Sequence, residues 1–157
     1  MIDDDATWFY DPSMRKSFKD GILRDEWFEL YKETLFDEAD YTTSKNQPDY
    51  HFFEWLSAIE IYKKTGWISL VEKYEFKKHP VQNEIYRRFV PRELYEMRNN
   101  HAQMPDLLSF PPEKTDYCFY EVKGDKDRVS KTQRDLFKDI KRITGKKVVV
   151  IKFKPLE

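Results

Sequence analysis

Cysteine is almost missing from this chain of 157 residues: Cys118 stands alone, so no intrachain disulfide can staple the fold. Histidine is scarce too, and His51, His79 and His101 are scattered without zinc-ligand spacing, which argues against zinc. No run approaches the roughly 18 to 20 apolar residues that cross a bilayer. The opening Met1-Ile2-Asp3-Asp4-Asp5 is acidic where a secretory signal is basic. These absences lead to the expectation of a soluble intracellular protein, cytoplasmic in a bacterium or phage, with no membrane partner. Internal repeats and low-complexity tracts are absent as well. What is present is enough apolar material, 39% hydrophobic with 17% aromatic, to bury one sizeable core.

Net charge is also small, -1, but it is unevenly spread. Residues 1–60 carry 6 Lys/Arg against 15 Asp/Glu, whereas residues 121–157 carry 12 against 6. The basic end could face phosphate, although an ordinary solvated surface explains the same totals.

Apolar periodicity predicts an amphipathic helix over Arg24–Leu35 and a loop over Asp37–Asp49, polar and aperiodic around Thr42-Thr43-Ser44 and Asn46-Gln47-Pro48. A second helix is expected from Asp49 to Lys64, stopped by Gly66, followed by a strand over Trp67–Phe76. Val81–Met97 reads as helix broken or kinked at Pro91, which removes a backbone donor. After a polar segment, Asp106–Phe110 and Tyr117–Lys123 read as two strands joined by a turn, most simply a hairpin. Ser130 opens a helix that ends at Thr144 before Gly145, and Lys147–Phe153 is a strongly apolar strand. This last unit favours a buried parallel strand and an α/β sheet.

Three side chains on this scheme carry chemistry. Glu121 and Lys123, two apart on one strand, share a face, and a hairpin brings Asp106 to them. Two carboxylates suit Mg²⁺ or Mn²⁺, hard cations that take oxygen ligands, and the Val122 carbonyl could add a third oxygen. A lysine beside them can orient or help deprotonate a water and balance phosphate charge, while a metal polarises the phosphate. Taken alone, Glu-x-Lys is also a common exposed pair and Asp106 an ordinary turn residue.

The surroundings point further. Met104-Pro105-Asp106-Leu107-Leu108, then Glu121-Val122-Lys123-Gly124-Asp125-Lys126-Asp127-Arg128-Val129-Ser130 and Gln133, resemble the VRR-NUC family of the PD-(D/E)XK nuclease superfamily. The resemblance covers residues 103–153, about a third of the chain, with its motifs in the expected order. It implies a restriction-endonuclease-like core, a mixed central sheet flanked by helices, over residues 49–157, with residues 1–48 an added N-terminal helical segment. It also implies that Asp106 and Glu121 are metal ligands, Lys123 the catalytic lysine and Gln133 the motif glutamine. Gln133 has a second reading, since Ser130-Lys131-Thr132-Gln133 is a capping box, and the two readings stand side by side. Family members usually add a glutamate from the helix before the sheet. Glu54 is the first choice, with Glu60 and Glu84 behind it, and each also reads as a solvated helix residue.

Phosphate contacts are expected near the helix that Ser130 opens, at Lys126 and Arg128. Lys131, Arg134, Lys138, Lys141 and Arg142 fall within an arc of about 100° at 100° per residue, opposite Leu136, Phe137, Ile140 and Ile143. This stripe is a DNA-backbone surface or a solvated face. Arg87, Arg88, Arg92 and Arg98 form a second such surface. Most aromatics read as core, and only Trp8–Tyr10 as an exposed contact, including with another subunit. The resulting expectation is a Mg²⁺- or Mn²⁺-dependent DNA endonuclease acting on junctions or flaps in repair or recombination, as a homodimer if both strands of a junction are cut. Two rivals remain: a nucleic-acid-binding module that keeps the fold without cutting, and a protein-interaction domain using the acidic N-terminal segment.

Overall fold

The computed structural model describes residues 2–34, 36–46, 51–71, 80–99 and 104–157. In chain order these form β1 (Ala6–Tyr10), α1 (Pro12–Lys19), α2 (Ile22–Tyr31), α3 (Glu38–Asn46), α4 (Phe52–Thr65), β2 (Ile68–Val71), α5 (Pro80–Phe89), α6 (Arg92–Asn99), β3 (Leu107–Phe110), β4 (Cys118–Lys123), α7 (Lys131–Thr144) and β5 (Val149–Pro155). The strands make one mixed sheet in the order β1-β5-β4-β3-β2.

β3 and β4 are antiparallel, with Leu107 opposite Tyr120, so the expected hairpin is present. β2 extends it antiparallel on the far side of β3. The α7 crossover then lays β5 parallel to β4, with Glu121 opposite Val150 and Lys123 opposite Lys152.

Two aromatic-rich cores sandwich the sheet. Alternate residues of β4 and β5, Cys118, Tyr120, Val122, Ile151 and Phe153, pack with Phe18 of α1, Trp27 of α2 and the α4 residues Phe52, Trp55, Leu56 and Ile59. Tyr117, Phe119, Leu108 and Val148 face the other way, onto Tyr86 and Val90 around α5, Leu94 of α6 and Ile140 of α7. Period-2 alternation therefore assigns Glu121 and Lys123 to the α7 face.

Several expectations hold at their ends. Gly66 and Gly145 close α4 and α7 in the left-handed region, at φ 77° and 73°, where a side chain is strained. Pro91 divides α5 from α6. Three expectations need correction. The loop placed over 37–49 contains α3, nucleated by reciprocal bonds in which the Asp37 amide donates to Asp40 and the Asp40 amide to Asp37, both at 2.9 Å. The helix placed over 24–35 is α2, which starts earlier and ends at Tyr31, and an unexpected helix, α1, with Asp11 as N-cap and Pro12 in its first turn, precedes it. The N-terminal 48 residues are not helical throughout, because β1 pairs with β5 in parallel, Trp8 opposite Phe153. Trp8 and Tyr10 meet Phe153 edge-on at 5.8 and 6.2 Å, so only Phe9 of this trio keeps a largely exposed ring. The strand expected over 67–76 is seen as Ile68–Val71, and residues 72–76 of it lie outside the described residues, as do His79, His101 and the Arg98 side chain.

Candidate active site

The hairpin register sets the site. Leu107 opposite Tyr120 puts Asp106, the residue before β3, level with Glu121 near the C-terminal end of β4. The Val122 amide donates to Asp106 Oδ2 at 2.8 Å, which ties this carboxylate to the strand carrying Glu121. Lys123 Nζ lies 4.0 Å from Glu121 Oε1. The three residues thus converge as the hairpin expectation requires.

Glu121 is only 4% exposed. Burial raises its carboxyl far above the ordinary value near 4.5, and the Asp106 carboxylate beside it raises it further, so that it holds a proton at neutral pH. Lys123 offsets part of this and Glu54 adds to it. A carboxyl that keeps its proton because it is buried and another carboxylate faces it is short of positive charge, and oxygen donors of this kind suit a hard divalent cation. Asp106 and Glu121 fit such an ion. Among the described residues, however, no group of three or more His, Cys, Asp or Glu stands close enough to hold a metal.

Glu54 is in the first turn of α4, 20% exposed, with Oε2 at 3.7 Å from His51 Nδ1. Its charge reaches Glu121. Glu60, by contrast, pairs with Lys63 and Lys64 at 3.9 and 3.8 Å, and Glu84 with Arg88 at 3.3 Å on the exposed face of α5. Of the three helix glutamates, the structure brings Glu54 into the electrostatic neighbourhood of the pair.

Gln133 does two jobs at once. The Ser130 amide donates to Gln133 Oε1 at 3.0 Å while the Gln133 amide donates to Ser130 Oγ at 3.1 Å, completing the capping box. With its oxygen committed to the cap, the Gln133 side-chain NH₂ points at Glu121, donating to Oε1 at 3.4 Å. Gly124 holds the next turn close, since a Cβ there would meet Asp127 Oδ2 at 3.3 Å and the Phe53 ring at 3.4 Å.

The expected phosphate contacts are less uniform. Lys126, Arg128 and Lys138 are exposed. Lys131 is paired with Asp135 at 3.3 Å, Arg134 donates to the Val129 carbonyl at 3.1 Å, and Arg142 reaches Glu93 of α6 at 3.3 Å. The α7 stripe is therefore interrupted by its own carboxylates. Arg92 is likewise bound to Glu96 at 2.7 Å, and the Arg87 guanidinium lies over the Tyr95 ring at 5.7 Å. Residues the sequence reading passed over are Lys152 and Lys154, which β5 places on the same face as Lys123. Their alternation with Ile151 and Phe153 was the available signal.

No helix among the described residues is long and apolar enough to cross a membrane. No curated protein and no solved structure matches the chain. The model of the VRR-NUC domain matches residues 60–152, more than half of the chain and the whole hairpin, α7 and most of β5, while β1 and Glu54 fall outside the matched span. The chain belongs to the VRR-NUC family of the PD-(D/E)XK nuclease superfamily.

Proposed function

We propose that this protein is a Mg²⁺- or Mn²⁺-dependent endonuclease that hydrolyses phosphodiester bonds of branched or flapped DNA. The observation that carries the reading is the convergence of Asp106, Glu121, Lys123 and Gln133 at one end of the β3–β4 hairpin. Asp106 and Glu121 would hold the cation, with the Val122 carbonyl as a further oxygen and Glu54 as the nearest additional carboxylate. A divalent ion, if held by these residues, would supply polarisation of the scissile phosphate and acidify a water at the site.

The protein's own groups do the rest. Lys123, 15% exposed at its side chain, presents its ammonium beside the carboxylates, where it neutralises phosphate charge and orients the attacking water. Gln133 fixes the rotamer of Glu121 through its NH₂. The N-terminus of α7, with Lys126 and Arg128 on the preceding turn, offers partial positive charge to a neighbouring phosphate. Cutting both strands of a junction requires two sites, so the form proposed for that substrate is a two-fold homodimer.

A cleavage panel tests this reading: linear duplex, single strand, flap and four-way junction, each with Mg²⁺, Mn²⁺ or EDTA. The expected result is metal-dependent cutting that favours a branched substrate. Binding of the same DNAs without cutting under any metal would instead establish the non-cleaving module.

A further inference from the structure

Across β4, β5 and β1 one face of the sheet runs outward from the site. Register places Lys123 beside Lys152, Lys152 beside Thr7, and Lys154 beside Phe9, and paired residues share a face. Trp8, Tyr10, Ile151 and Phe153 occupy the opposite face, in the α4 core. Phe9 is therefore an aromatic ring with no core to enter, and 61% of it is exposed. Lys152 and Lys154 make no ion pair among the described residues, unlike Lys131 and Arg142 of α7, which are tied to Asp135 and Glu93. A concavity of about 340 Å³ is lined by Phe9, Lys154, Asp125 of the turn after β4 and Glu157.

Two strand spacings and two residues of rise separate Lys123 from Phe9, about 12 Å in all, a reach of a few nucleotides. The combination of cations in a row and a bare aromatic ring is what a single-stranded nucleic acid recognises, since the ammonium groups follow the phosphates and any base stacks on the ring. A paired duplex has no base free for Phe9.

We propose that the β5–β1 wing is a platform for a single-stranded DNA arm of the substrate, with Lys152 and Lys154 on its phosphates and Phe9 stacked on an unpaired base. This rests on the nuclease reading and deepens it, because the platform leads a single-stranded arm to the Asp106–Glu121 pair and makes the flap the preferred substrate class. Two carboxylates, Asp125 and Glu157, line the same concavity as Phe9 and Lys154.

The test is fluorescence anisotropy of a labelled deoxythymidine oligomer and of a blunt duplex, in EDTA so that no cleavage occurs. Wild type is compared with Phe9→Ala, Phe9→Leu and the double variant Lys152→Ala/Lys154→Ala. Phe9→Ala and Phe9→Leu should each weaken single-strand binding about tenfold and leave duplex binding within twofold. The lysine double variant should lower the slope of log affinity against log salt by about 1.4 on the single strand, about 0.7 per contact removed. Equal single-strand affinity in wild type and both Phe9 variants would overturn the platform, as would a Phe9 effect that appears only as a change of oligomeric state in sedimentation. Flap cleavage in Mn²⁺ separates the two claims. Loss of anisotropy with no cleavage by any form keeps the platform and sinks the nuclease reading, and cleavage unchanged in all variants with unchanged anisotropy does the reverse.

Discussion

Glu121→Gln should stabilise the metal-free protein while removing its ability to hold an ion. In the folded chain burial and Asp106 keep the Glu121 carboxyl protonated at neutral pH, whereas in the unfolded chain it ionises near 4.5. The folded state thus binds one more proton than the unfolded state across that window, and stability falls as pH rises from 4.5 towards 7 at up to about 1.4 kcal/mol per unit. The accumulated cost at pH 7 is about 3 kcal/mol as an upper bound, since water reaches little of a side chain that is only 5% exposed. Glutamine is neutral at every pH and its NH₂ can donate to Asp106, so the variant escapes this cost. Urea or thermal unfolding in EDTA between pH 5 and 8 should show a gain of about 1 to 3 kcal/mol at pH 7, a rise in Tm of about 3 to 10 °C, and a flatter pH dependence. Adding Mn²⁺ should raise the wild-type Tm and leave the variant where it was. A variant less stable than wild type at pH 7 in EDTA, with the same pH slope, would refute this account of the buried pair.

Further outcomes follow from the neighbouring contacts. Ser130→Ala should cost about 1 kcal/mol by removing the cap acceptor for the Gln133 amide, and Ser130→Asp should restore most of it; equal Tm values for wild type and Ser130→Ala would contradict the capping box as a stabilising element. Gly124→Ala should lower Tm, because the added methyl meets Asp127 Oδ2 at 3.3 Å and presses on the bond this oxygen accepts from the Gly124 amide; an unchanged unfolding curve would show that the turn has slack. Neutralising Arg134 together with Lys138 should reduce the salt slope for duplex DNA by less than the roughly 1.8 expected of two free phosphate contacts, since Arg134 is already bonded to the Val129 carbonyl. A full reduction, measured by anisotropy, would place both on phosphate.

The meeting of the candidate site residues was legible because its information is local. Pro105-Asp106, Glu121-Val122-Lys123 and the Ser130–Gln133 cap each fit within a few residues, and the strand–turn–strand spacing between them has one simple solution, which the β3–β4 register follows. β1 was hidden for a physical reason: in Thr7-Trp8-Phe9-Tyr10 the outward Phe9 is as apolar as its inward neighbours, so alternation is invisible until Lys152 and Lys154 of β5 supply the partner. α3 buries Asp40 and Ser44 in place of an apolar stripe, so no helical period announces it. Glu54 was the first choice from its place near the start of α4, but spacing leaves Glu60 open, because the packing of α4 against the sheet decides which end of the helix approaches Glu121. The dual engagement of Gln133 depends on the angle at which α7 leaves its cap, which no local pattern specifies.

The central claim, that Asp106, Glu121 and Lys123 form a metal-dependent phosphodiesterase site, is tested most directly by comparing flap cleavage and calorimetric Mn²⁺ binding in wild type, Asp106→Ala and Lys123→Ala. Asp106→Ala should lose both, whereas Lys123→Ala should retain most of the Mn²⁺ affinity and lose cleavage by a factor on the order of 10² to 10⁴. Mn²⁺ binding unchanged in Asp106→Ala, or cleavage unchanged in Lys123→Ala, would contradict it.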